Sequence, residues 1–396
     1  MAISKNMAAA MGRSSWIRKM FEEGARLKAL RGPENVCDFT LGNPTGEPPA
    51  VVKRRLMELA ADPSPGTHRY MPNAGLTETR AQVARYLSGR GGGTFTENHV
   101  IMTVGAGGGL NVVIKSLCDP GDEALTVAPY FAEYSFYASN HSVELKTVAS
   151  GARFGLEPER IEKAIGPKTR ILLLNSPNNP TGAVYDESSL RGTGEILERK
   201  SKEHGRPIYL VMDEPYRKLV YDSVHVTNIF SVVRRAIAVT SHSKDLNLPG
   251  ERIGYIAIGP GNDDCATMFD AMTMANRILG FVNAPALQQR LVGPLQDTAA
   301  DMTVYSENRK ILTDGLRQAG YDLTPPDGGF YLFPKSPLED DVEFTGMLKE
   351  RNVLVVPGAG FGGPGYFRIS FCVEPQVCRR ALPAFAQAMQ EARAKL

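Results

Sequence analysis

The chain has 396 residues, 42 % apolar and 22 % charged, with 45 basic against 43 acidic side chains. That length and balance suit a globular chain with a sizeable core, organised as a large domain with a smaller one attached. A formal net charge of +2 leaves no electrostatic footprint for nucleic acid or a membrane surface.

In chain order, residues 14–31 read as an amphipathic helix, with Ser14 or Ser15 as cap and Gly32-Pro33 as terminator. Residues 36–50 are rich in Pro and Gly and read as an extended crossing segment. A helix at about 76–88 leads to an apolar strand, His99 to Val104, then to a Gly-rich turn and a helix ending at Leu117. Strands recur at 123–128, 143–148, 170–174, 207–213, 235–241 and 253–258, with helical stretches such as 187–204 between them. Alternation of this kind predicts an α/β fold, a mostly parallel seven-stranded sheet covered by helices on both faces. Ligands of such sheets bind beyond the carboxyl ends of the strands. After about 295 a long helix (about 297–319), strands at 329–333, 353–356 and 366–372, and a final helix (375–395) predict a smaller α+β unit. The expected division is therefore 1–50 as a segment joining the small domain, 51–295 as the large domain and 296–396 as the small one.

The five cysteines, Cys37, Cys118, Cys265, Cys372 and Cys378, are odd in number, widely spaced and without a C-x-x-C pair. That argues against a disulfide framework and a zinc site, and for small buried residues in a reducing compartment. Residues 1–13 are broken by Lys5, Asn6 and Arg13 and do not read as a signal peptide, and no apolar run reaches membrane-spanning length. The expected location is the cytoplasm.

Chemistry-bearing residues gather at the ends of the expected strands. Gly105-Ala106-Gly107-Gly108-Gly109 opens a helix, whose free N–H groups and dipole suit a phosphate, although a plain turn explains it equally well. Its spacing matches neither dinucleotide nor P-loop fingerprints. Asn178-Asn179-Pro180-Thr181-Gly182 is a tight turn. Asp213 ends an apolar strand, as a helix cap or as a site residue. Lys244, between serines and the loop Leu246 to Gly250, would in isolation be a solvated charge.

Taken together and in order, SPNNPTG, DEPYRKLVY, SHSKDLNLPGERIGYI and the later FRISF resemble the class I/II, aspartate aminotransferase-like enzymes of fold type I. The resemblance runs from about Gly42 to Phe371. It implies an enzyme that uses pyridoxal 5'-phosphate (PLP) to move an amino group between an amino acid and a 2-oxo acid. It assigns Lys244 as the covalent anchor and proton carrier, Asp213 as partner of the pyridine nitrogen, and Asn179 and Tyr216 as donors to the ring oxygen. The phosphate falls to the backbone of Gly105, Ala106 and Gly107, the hydroxyls of Ser241 and Ser243, and Arg252. Arg368, with Asn179 and the backbone of Gly42, is assigned to the substrate α-carboxylate. Phe131 matches the aromatic that stacks on the ring, and Tyr70 a tyrosine reaching the partner subunit's phosphate, which implies a homodimer with shared sites. As isolated residues these two would be a core aromatic and a surface tyrosine.

Substrate choice is less constrained. Some relatives carry a lysine where this chain has Gly107, which weakens a strict dicarboxylate assignment. Arg18 is a candidate substitute, and Trp16 and Ile17 could favour apolar or aromatic side chains. Aspartate with broad tolerance, and 2-oxoglutarate as acceptor, are the expected substrates. The rivals are a carbon–sulfur β-lyase or aminocyclopropane carboxylate synthase-like enzyme on the same scaffold, and a non-catalytic PLP-binding regulatory module. Residues 1–35 are too short for the DNA-binding unit such modules carry.

Overall fold

The computed structural model describes residues 2–12 and 16–396, without the side chains of Ile17, Arg18 and Phe21. The cap expected at Ser14 or Ser15 and the roles considered for Ile17 and Arg18 lie outside the described residues.

Seven strands form the central sheet: β1 (Val100–Thr103), β2 (Glu123–Ala128), β3 (Glu144–Ala149), β4 (Thr169–Asn175), β5 (Tyr209–Asp213), β6 (Ala236–Ser241) and β7 (Gly254–Ile258). Their order across the sheet is β1-β7-β6-β5-β4-β2-β3. All pairings are parallel except those of β7, which runs antiparallel to both β1 and β6. The expected mostly parallel, seven-stranded α/β architecture is therefore present.

The sequences explain the layering. Strands β5, β6 and β7 are buried along their whole length, which requires the continuous apolar runs they carry. Alternate residues feed opposite faces. Leu172, Leu174, Leu210 and Met212 join the core on one side, while Ile171, Leu173, Tyr209 and Val211 join that on the other. Strand β3, half-exposed, is an edge. Each buried aliphatic side chain contributes about 1.5–3 kcal/mol, so the strand ends are held by a stiff double core.

A separate core surrounds Phe330, Phe344, Phe367 and Phe385. There a short antiparallel sheet (Val356–Pro357, Phe367–Ser370, Tyr331–Leu332) packs with helices Thr303–Gln318, Asp341–Glu350 and Pro375–Lys395. Cys37–Asp38 pairs in parallel with Val353–Leu354. The helix Trp16–Arg31 packs Met20 and Leu27 with Phe333, Leu354 and Phe361.

Two local expectations are refined. Gly105 to Gly109 form the first turns of the helix Gly105–Leu117 itself, with no separate turn before it. The helix expected from about 297 starts at Thr303. Residues 296–300 are spent on tertiary bonds: Lys218 Nζ donates to the carbonyls of Gln296 and Thr298, and Ala300 N–H donates to Asp245 O at 2.6 Å. Among the described residues no helix is long and apolar enough to cross a membrane.

Candidate active site

Topology places the site. Strands β1, β2, β4, β5 and β6 all point their carboxyl ends to one edge, and antiparallel β7 begins there. Six of the seven strands thus deliver residues to one cleft: Gly105 to Gly107 after β1, Phe131 and Tyr134 after β2, Asn179 after β4, Asp213 and Tyr216 at β5, Ser241 to Lys244 after β6, and Arg252 before β7. This is the ligand-binding edge of an open α/β sheet.

Lys244 lies in a single-turn helix, His242–Asp245. Its Nζ donates to Gly42 O at 2.5 Å and lies 5.4 Å from the centroid of Phe330. Burial pushes its pKa down to about 8, with Arg252 and Arg368 adding to the effect and Cys372 opposing it. The turn is anchored from behind: Asp245 accepts from Lys218 at 3.1 Å and faces His242 Nδ1 at 3.2 Å.

Asp213 is buried. Its Oδ2 accepts from Tyr134 Oη at 2.7 Å, while its Oδ1 has no partner among the described residues. Burial pushes this carboxyl up to about 7, opposed by the Tyr134 hydrogen bond and aided by Glu214. A buried carboxylate oxygen without a partner is costly, and a cationic N–H donor would satisfy it. Asn175 ties neighbouring parts together, donating its Nδ2 to Asp213 O at 2.8 Å and accepting from Asn179 N–H at 2.6 Å.

Tyr216 Oη lies 2.9 Å from Tyr331 Oη, both buried. Arg368, on Phe367–Ser370, is buried between the rings of Tyr331 and Phe361, each 4.7 Å away. It donates Nη1 to Asn179 Oδ1 at 3.0 Å and Nη2 to Thr40 O at 2.5 Å, leaving Nε unpaired. With the Asn179 oxygen engaged, its amide NH₂ is left to serve as a donor. A buried guanidinium facing only neutral oxygens calls for an anion.

The proposed phosphate end has matching features. The helix Gly105–Leu117 begins without a side-chain cap. Arg252, at φ 51° and ψ 54°, is pinned by donating to Pro249 O (3.1 Å) and Val104 O (3.4 Å). Gly105 sits at φ 80°, and a Cβ there would meet the Arg252 guanidinium at 2.6 Å. Ser241 and Ser243 are buried, and their hydroxyls make no hydrogen bond among the described residues.

The structure thus brings Lys244, Asp213, Tyr216, Asn179, Arg368, Gly42 and the Gly105 helix end to one place. Phe131 stands beside Tyr134, with ring centroids 5.6 Å apart. Tyr70 does not join this cleft within the chain; it is 92 % exposed. Sequence reading missed Tyr134, Asn175, Phe330, Tyr331, Phe361 and Thr40. Tyr134 stands three residues after Phe131, but nothing local marked it as the partner of Asp213.

Comparison with known proteins identifies the family. The family model "Aminotransferase class I and II" matches residues 34–385. A protein of Thermus aquaticus named probable aspartate/prephenate aminotransferase is 33 % identical over 373 residues, covering 92 % of this chain and 94 % of that one. An amino transferase from Eubacterium rectale superposes with a TM-score of 0.95 at 38 % identity, covering 99 % of both chains. The aspartate aminotransferase of Thermus thermophilus with maleate gives a TM-score of 0.84 at 28 % identity, covering 94 % of this chain and 96 % of that one.

Proposed function

Because the chain belongs to the class I and II aminotransferases and is an aminotransferase, we propose that it works with PLP held by the residues converging on Lys244, and that aspartate heads a broad range of amino donors. The observation that carries this reading is the set of unsatisfied groups in one cleft: Asp213 Oδ1, Arg368 Nε and the uncapped helix at Gly105. They fit, in turn, a protonated pyridine nitrogen, a substrate carboxylate and a phosphate.

When bound, PLP supplies an electrophilic carbon and a ring that draws electrons from the substrate Cα. The chain does the rest. Lys244 would anchor the cofactor, and its amine would take the substrate Cα proton as general base. Burial already lowers the Lys244 pKa to about 8 in the cofactor-free cleft, the direction a general base needs. Asp213 would hold the ring nitrogen charged, and Tyr216 and Asn179 would donate to the ring oxygen. Arg368, stacked on two rings, orients the α-carboxylate of both the amino acid and the 2-oxo acid, so one site serves both halves of the cycle.

The names of the relatives favour aspartate, and 2-oxoglutarate is the proposed acceptor. Gly107 offers no cation for a second carboxylate, which favours tolerance over strict dicarboxylate selection. We propose residues 51–295 as the cofactor domain, with 296–396 and the first 50 residues forming the smaller one. A homodimer is supported by the exposure of Tyr70, Met57, Met274 and Ile278, large apolar side chains that a second copy could cover. A panel of amino donors against 2-oxoglutarate, read as keto-acid formation, tests the reading. Transfer led by aspartate supports it; release of ammonia and pyruvate without amino transfer would favour the lyase.

A further inference from the structure

The first turn of the Gly105 helix is pressed from two sides. Arg252 lies against Gly105, and on the other side a Cβ at Gly107 would lie 2.8 Å from Tyr137 Oη. Tyr137 stands one helical turn after Tyr134 on the helix Tyr134–Ser139. Its partly buried ring packs on the core that contains Leu110 and Val113. Its hydroxyl makes no hydrogen bond among the described residues.

Three charged groups act on that hydroxyl. Burial, then Glu133 and Asp213, push the phenol upward, and Arg252 pulls it the other way. The net direction keeps it protonated at neutral pH, hence a donor. A donor without an acceptor among the described residues, set beside a helix N-terminus and near the Arg252 guanidinium, is placed to donate to an anion held there.

Resting on the PLP reading above, we propose that Tyr137 is a further cofactor-binding residue whose hydroxyl donates to the cofactor phosphate at the amino end of the Gly105 helix. Position 107 is glycine because that hydroxyl stands where a side chain would. The chain therefore presents a neutral donor on a packed ring here, in place of a flexible side chain from the helix.

The test compares wild type, Tyr137→Phe, Gly107→Ala and the double variant, each as the full chain. Dissociation constants for PLP and for pyridoxal, which lacks the phosphate, are read from the absorbance of the lysine-bound cofactor, and inorganic phosphate is titrated by thermal shift. Tyr137→Phe should weaken PLP roughly tenfold to hundredfold, lower the response to phosphate and leave pyridoxal within about twofold. Unchanged pyridoxal binding also shows that the variant folds. Gly107→Ala should weaken PLP in the presence of Tyr137 and much less in the Tyr137→Phe background. Unchanged PLP affinity, equal weakening of PLP and pyridoxal, or strictly additive effects at 107 and 137 would overturn the proposal. If wild type itself shows no Lys244-dependent absorbance with PLP, the cofactor reading falls and this one with it. If wild type binds PLP and Tyr137→Phe binds it as tightly, this one alone falls.

Discussion

Replacing Asp213 by asparagine should make the cofactor-free protein more stable, and by an amount that depends on pH. Asp213 is buried, Oδ1 has no partner among the described residues, and burial raises the carboxyl from 3.8 to about 7. A carboxyl raised in the folded state binds its proton more tightly there than in the unfolded chain. The stability it brings is complete below about 4 and is lost as pH rises through about 7. Above pH 8 the folded protein then carries a buried, half-satisfied charge at a cost of about 4 kcal/mol. Asparagine keeps the shape, and its side chain can share a hydrogen bond with Tyr134. For a chain of this length a gain of that size corresponds to about 5 °C in Tm. Thermal unfolding of cofactor-free wild type and Asp213→Asn, measured from pH 4.5 to 9, should show a difference that is small at the acid end and grows to a plateau above pH 8. A difference independent of pH, or a wild type more stable than the variant at pH 8.5, would refute the reasoning. With cofactor bound the sign should reverse, because the asparagine cannot hold the ring nitrogen charged.

The other predictions concern the substrate and the proposed second subunit. Arg368→Lys keeps the charge but loses the fork, and should lower kcat/KM for amino acid and 2-oxo acid alike by roughly tenfold to hundredfold. Steady-state kinetics on both substrates check this; a loss confined to one would place the arginine elsewhere. Tyr70→Ala should weaken PLP binding, and at limiting cofactor, mixed dimers with Lys244→Ala should regain activity, up to about a quarter of wild type for random pairing. Mixed samples no more active than either parent would confine Tyr70 to its own subunit.

Much of the site could be read from sequence because its residues follow buried strands in short contiguous stretches. Asp213 ends YLVMD, Lys244 comes three residues after the last of AIAVTS, and Asn179 four after the last of TRILLLN. The supporting residues were not legible for the opposite reason. Tyr134 meets Asp213 across 79 positions and Tyr331 meets Tyr216 across 115, and no periodicity encodes such a meeting. Helix Ala50–Ala61 went unanticipated because Pro48 and Pro49 made its approach read as extended. In Cys265–Ile278, exposed Met274 and Ile278 blur the apolar stripe that marks a helix. The delayed start at Thr303 reflects bonds from Lys218 and Asp245 to residues 296–300, a tertiary demand that overrides a polar-periodic pattern.

The most direct test of Lys244 as anchor and proton carrier is the half-reaction with amino acid alone. Wild type loaded with PLP should convert about one equivalent of cofactor per site to pyridoxamine phosphate and release one keto acid. Lys244→Ala should bind PLP without the absorbance of the lysine-bound form and convert none on the turnover timescale. A Lys244→Ala protein that keeps that absorbance and turns over, or a wild type that releases ammonia and leaves no pyridoxamine phosphate, would contradict the account.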